Sequence, residues 1–144
     1  MNLFLVLVIL SYSLQAYVIT LFREIAKDAE DIAGDGEFGY RTLPVVWGLR
    51  KTRNVLLISM VIWLVVLLSI MYYIMVKNIP IQSFVFFGLV IVPFVIALLS
   101  IAKRETKKAH FTRASLWLKV TLAGGILFTF FIPQLMGYIK YWFV

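Results

Sequence analysis

Six of the seven acidic residues in this 144-residue chain lie between positions 24 and 37: Glu24, Asp28, Glu30, Asp31, Asp35 and Glu37. Glu24, Asp28, Asp31 and Asp35 are spaced by four, three and four. On a helix that spacing puts them on one face, within a sector of roughly 60°. Like charges so stacked repel mildly. Gly34, Gly36 and Gly39 signal the end of a helix at the same place. Asp35 then opposes the helix dipole, at a cost of about 0.3–1 kcal/mol. The local sequence works against its own helix, and a bound cation is the simplest compensation. The chain has no cysteine, and its one histidine, His110, is remote in sequence. An all-oxygen donor set suits a hard cation, Mg2+ or Ca2+. Mg2+ keeps waters and completes its shell with substrate phosphates. An EF-hand loop starting at Asp31 fails, because Ala33 and Thr42 stand where ligands are required and the bidentate Glu is missing. Arg23, Lys27 and Arg41 flank the acids. Simple ion pairing at a membrane surface, Arg23 and Lys27 against Glu30 and Asp31, is the plainer reading of the same residues.

The elements that must hold this face are apolar. The chain is 62% hydrophobic, and four stretches carry no charge: Met1–Phe22, Asn54–Val76, Asn78–Ala102 and Val120–Ile139. Each has about the length a helix needs to cross a bilayer core, and backbone in lipid must satisfy itself, which selects helices. The expectation is an all-α, multi-pass bundle of about four transmembrane helices in a single membrane domain over 1–144. The helices are placed at about 1–33, 54–76, 80–102 and 115–139, with a polar motif segment at 23–53. Met1–Phe22 has no basic leader and no small-residue cleavage site, so it reads as a span rather than a signal peptide. Pro80 suits a helix first turn after Lys77–Ile79, and Pro93 should kink the third span. An Asp at the bilayer centre costs roughly 2.5–3.5 kcal/mol. The acidic face therefore belongs at the interface or in a polar cavity, where it can meet a diphosphate headgroup whose lipid tail stays in the bundle.

Eleven of the fourteen basic residues fall in two segments, Arg23–Arg53 and Lys103–Arg113. Two crossings separate them, so both lie on one side, and the positive-inside rule makes that side cytoplasmic. The excess of basic residues is thus explained by topology, and no nucleic-acid partner is expected. A cell-membrane location follows, with the acidic motif and the 103–114 loop in the cytoplasm. None of the charge-free stretches holds an acid, which ranks cation transport last. The Lys103–Arg113 loop serves as an anchor or contacts acidic headgroups or a phosphate acceptor. His110 reads as a solvated loop residue, and Gly124-Gly125 as a site of close helix packing.

The run Lys27-Asp28-Ala29-Glu30-Asp31-Ile32-Ala33-Gly34-Asp35, followed by Gly39-Tyr40-Arg41-Thr42-Leu43-Pro44 and Gly48, has the form K-D-x-E-D-x-x-G-D…G-x-x-T-L-P…G. It resembles the second aspartate-rich motif of the UbiA superfamily of intramembrane prenyltransferases. It looks most like the digeranylgeranylglyceryl phosphate synthase branch, which makes ether lipids; quinone and chlorophyll prenyltransferases carry related versions. The resemblance implies transfer of a polyprenyl group from a polyprenyl diphosphate to a lipid-soluble acceptor, prenylglyceryl phosphate being favoured. It also implies Mg2+ as cofactor, with Asp28, Asp31 and Asp35 as metal ligands. Lys27, Arg23 and Arg41 would offset diphosphate charge, and Lys27 with the three aspartates would form the catalytic set. The family fold has about nine transmembrane helices, so the likeness covers its C-terminal half. The family's first motif, N-x-x-x-D-x-x-x-D, is absent, since no Asp precedes Asp28 or follows Asp35. A fragment, a split gene or a decayed enzyme is expected, inactive alone and completed by an N-terminal half carrying the first motif. The alternatives are a non-catalytic membrane subunit or inactive fragment derived from such an enzyme, or a prenyltransferase of the quinone or chlorophyll type.

Overall fold

A computed structural model describes residues 3–76, 80–103 and 107–129, and every regular element among them is helical. The all-α expectation holds. Helix α1 runs from Leu3 to Glu30. Its 28 residues reach about 42 Å at 1.5 Å per residue, against a bilayer core of about 30 Å. Its last turns, from about Phe22 onward, carry the acids. Two short helices follow, α2 at Ile32–Glu37 and α3 at Leu43–Trp47, and then the long α4 at Leu49–Val76. Helix α5 covers Pro80–Phe86, a π turn covers Phe87–Ile91, α6 covers Val92–Ala102 and α7 covers Lys108–Phe128. Two stretches, Leu49–Tyr73 and Phe84–Ala102, are long and apolar enough to cross a membrane among the described residues. The proposed turn at 77–79 and the stretch beyond 129, where the fourth span was placed to end, lie outside the described residues.

Three boundaries differ from expectation. The first helix does not run unbroken to Ala33. It stops at Glu30, Asp31 adopts φ −98° and ψ 10°, and α2 resumes at once. Asp31 N still donates to Lys27 O and Asp35 N to Asp31 O, both at 3.0 Å, so the helical direction persists through a one-residue irregularity. Helix α4 begins five residues before Asn54, and α7 seven residues before Ser115. The reason is common to both. Lys and Arg are good helix formers, so a cluster of them marks the bilayer edge and not the helix end. His110 accordingly sits half-buried in the first turn of α7 rather than in a solvated loop.

Proline 93 distorts its span as expected, through a specific device. It has no N–H for the carbonyl of Leu89, four residues earlier, and the preceding turn widens into the π form. The Leu89 carbonyl points at Gly124 of α7, where a Cβ would lie 2.0 Å from its oxygen. Gly124 is buried, and its missing side chain lets the two helices approach.

Helix α7 is the centre of the bundle, with α1 and α6 packed along it. Small buried residues at the contacts, Ala26, Ala29, Ala97 and Ala114, allow close approach. Around them Phe22 meets Phe94 with centroids 6.3 Å apart, and Phe86 meets Phe128 edge-on at 5.1 Å. Helix α4 is peripheral. Ile58, Ile62 and Val65 are each about 60% exposed, a surface suited to lipid. Its start is tied inward by Arg53. Nε donates to Ile101 O at 2.9 Å, and Nη2 donates to Ala102 O at 3.0 Å and Lys103 O at 2.8 Å. The guanidinium caps the last carbonyls of α6, which have no partners within their own helix, and complements its dipole. This brings the two basic segments to one end of the bundle.

Candidate functional site

The acidic face assembles where α1 leaves the bundle. Asp28, half-buried, lies in the field of Asp35, Glu24 and Asp31. Desolvation by burial raises its pKa first; then Asp35, Glu24 and Asp31 raise it further, against a lowering by Lys27. Asp28 thus feels the charges of Glu24, Asp31 and Asp35, the acids with which the helical spacing grouped it. Lys27 is exposed beside it.

Backbone geometry then fixes Asp35. Tyr40 N donates to Asp35 O at 2.9 Å and Gly39 N to Gly36 O at 3.3 Å. That pair of bonds, with Gly39 at φ 74°, is a Schellman ending of α2. The chain turns back, and Thr42 Oγ1 donates to Asp35 Oδ2 at 3.1 Å. Thr42 occupies the N-cap of α3 but spends its hydroxyl on Asp35 instead of its own helix. Pro44 follows in the first turn of α3 and is buried. Gly48 separates α3 from α4 at φ 79° and ψ 153°, a region essentially restricted to glycine. The spaced residues of the motif thus have separate structural duties: Gly39 reverses the chain, Thr42 orients an acid, Pro44 starts a helix and Gly48 breaks the connection.

The basic residues distribute unevenly. Arg23 Nη1 pairs with Glu24, and Arg23 Nε is buried without an acceptor. A buried donor without an acceptor calls for an explanation, and a bound anion would supply one. Arg41 is exposed on the α2–α3 linker, and among the described residues no ion pair joins it to the acids. Lys108, at the start of α7, instead reaches Asp31, with Nζ 3.9 Å from Oδ1. Neither Thr42 nor Lys108 was singled out from the sequence. For Thr42 the signal was its place in the T-L-P run; for Lys108 it was the shared membrane side of the two basic segments.

An apolar cleft of about 80 Å³ lies between α1, α3 and α4. Leu21, Phe22 and Ile25 of α1, Leu43 and Trp47 of α3, and Val55, Leu56 and Ser59 of α4 line it. It holds a few carbon atoms.

The donor set fits Mg2+, being carboxylate oxygens without thiolate or imidazole. The arrangement is open: among the described residues no three acids converge into a cage that could hold an ion. Mg2+ commonly takes only one or two carboxylates and draws the rest of its shell from water and phosphate oxygens, so an open half-shell suits it.

The model of the UbiA prenyltransferase family matches residues 3–120. A digeranylgeranylglyceryl phosphate synthase of Methanosphaera stadtmanae is 30% identical over 117 residues, 80% of this chain and 39% of that protein. The synthase of the same name from Saccharolobus solfataricus is 31% identical over 123 residues, 80% of this chain and 38% of its own length. That of Thermococcus sibiricus is 44% identical over 43 residues, 30% of this chain and 15% of that protein. The chain thus spans less than two fifths of the length of these curated relatives. No solved structure matches.

Proposed function

The chain belongs to the UbiA prenyltransferase family, and from that premise we propose that it supplies one half of an intramembrane site transferring a polyprenyl group from its diphosphate to prenylglyceryl phosphate. The observation that carries this reading is the shared acidic face of Glu24, Asp28, Asp31 and Asp35, with Asp35 oriented by Thr42 at the bilayer edge. Two similar relatives bear the name of the prenylglyceryl phosphate enzyme over four fifths of this chain, which favours that acceptor.

In this reading Asp31 and Asp35 hold Mg2+ and Asp28 completes or orients the same face. The metal, when bound, supplies positive charge against which the diphosphate leaves. Arg23 directs its unsatisfied Nε toward diphosphate oxygen, and Lys27 adds a second positive charge. Arg41, exposed on the linker between the two short helices, is the third basic residue of this set. The carbon–oxygen bond to the allylic carbon breaks and its electron pair departs on the diphosphate. The acceptor hydroxyl oxygen then bonds that carbon and gives its proton to the departed diphosphate. Fixed donors and cations aimed at the leaving charge are the catalytic devices such a step requires. The cleft beside Ile25 and Leu43 receives the apolar carbons nearest the reacting centre and keeps water from them. The opposing jaw, with the second set of acids, comes from a segment beyond this chain. Both basic segments face the cytoplasm, which sets the acidic face on that side of a cell membrane.

The test is reconstitution. The chain is co-expressed in membranes with an N-terminal UbiA half, and transfer of labelled prenyl diphosphate is followed. Asp31→Asn or Asp35→Asn should reduce transfer by at least about a hundredfold, the scale on which transition-state charge stabilisers act. Full activity in both variants would refute the assignment and favour a non-catalytic subunit.

A further inference from the structure

Lys108 is in an electrostatically poor position for its own helix. It opens α7, whose first turn contains no acid and whose N-cap residue, Lys107, makes no side-chain capping bond. A cation there opposes the helix dipole. Its carboxylate partner is Asp31, the one irregular residue between α1 and α2. The helix behind it is firmly held, with Phe111, Ala114, Ser115 and Leu118 buried, so the position of its backbone relative to the acids is fixed. The pair itself is loose. The Lys108 side chain is 70% exposed and that of Asp31 49%, at a separation of 3.9 Å. Exposed pairs of this kind are weak and exchange readily. Asp35, by contrast, has its carboxylate tied to Thr42. Of the two acids, one is held in place and the other has a displaceable partner.

We propose that Lys108 is the exchangeable counter-ion of the acidic face. It neutralises Asp31 while that carboxylate binds no cation. It gives up Asp31 when a divalent cation arrives, and its ammonium then turns to a diphosphate oxygen held on the same ion. This rests on the reading of the face as a metal–diphosphate site, and it adds that one lysine acts with opposite sign in two states. It opposes binding of the cation alone and supports binding of the cation together with diphosphate.

The full chain in detergent, titrated with Mn2+ and followed by the paramagnetic resonance of the free ion, tests this without any turnover. For Mn2+ alone, Lys108→Gln should bind about two- to fivefold more tightly than the native chain, the range expected of an exposed ion pair. With saturating inorganic pyrophosphate the order should reverse by a similar factor, and Lys108→Arg should behave as native in both titrations. Circular dichroism confirms the fold of each variant. If Asp31→Asn abolishes Mn2+ binding but Lys108→Gln changes neither titration, or shifts both in the same direction, the counter-ion role is refuted and the metal site stands. If the native chain binds no Mn2+ even at millimolar concentration with pyrophosphate, both the metal reading and this inference fall.

Discussion

Among single residues, Asp28 shows most directly what the acidic face costs an unliganded chain. Burial and three neighbouring acids lift its pKa above the usual 3.8. Between 3.8 and the raised value the folded chain therefore binds more protons than the unfolded one. Stability falls as pH rises through that window and stays lower above it. Asp28→Asn removes the penalty. Without divalent cations the variant should be more stable than the native chain at about pH 7 by roughly 0.2–0.5 kcal/mol, the scale of a like-charge pair one helical turn apart. The gain should vanish at about pH 3, where the native carboxyl is already neutral. Chemical unfolding in micelles at the two values measures the difference, and a variant less stable at pH 7 would contradict it. The spacing of the four acids was legible because helical periodicity is local. The partners of two of them were not. Thr42 reaches Asp35 only after the Schellman turn at Gly39, and Lys108 reaches Asp31 only after α7 packs on α1. Those contacts depend on how the chain folds back, which residue spacing does not encode.

Among the elements, the tightest constraint is the crossing of α6 and its π turn with α7. Proline 93 releases the Leu89 carbonyl, the π turn swings it outward, and Gly124 accepts its approach. Gly124→Ala would place Cβ 2.0 Å from that oxygen, against backbone that cannot rotate away. The two helices must separate, and overpacking of this kind costs about 1–3 kcal/mol or more. Gly125→Ala is the control, because the nearest atom to its Cβ is the flexible Tyr12 hydroxyl at 3.7 Å. Unfolding midpoints should fall for Gly124→Ala and change little for Gly125→Ala. Equal effects would mean that Leu89 does not set the crossing. The proline and the glycine pair were both visible in the sequence as features of a kinked, closely packed span. Their meeting was not, because 31 residues separate Pro93 from Gly124. Lack of charge picked out the two stretches that are long and apolar enough to cross a membrane, yet the starts of α4 and α7 were placed too late. Charge records where the bilayer stops, whereas Arg50, Lys51 and Arg53 continue the helix beyond it.

At the scale of the whole molecule, two independent contacts bring the basic segments together. Arg53 caps α6, and Lys108 meets Asp31, so the acidic motif, the start of α4, the end of α6 and the start of α7 share one end of the bundle. Charge counting alone assigned the two segments to one side, but it relied on the number of crossings between them. The contacts require the same arrangement without that count. The acids on α1 and α2 are braced by α3 through Thr42 and by α7 through close packing, all within this chain. The absence of native cysteine makes the arrangement directly testable. Phe38→Cys and Ala109→Cys, both at exposed positions, should react with a membrane-impermeant maleimide from the same face of sealed vesicles, the cytoplasmic one. Val76→Cys, at the far end of α4, should react only from the other face. Labelling of Phe38→Cys and Ala109→Cys from opposite faces would separate Lys108 from Asp31 and dismantle the site. Labelling of both from the outer face would keep the acidic face and Lys108 together and overturn the cytoplasmic placement proposed for them.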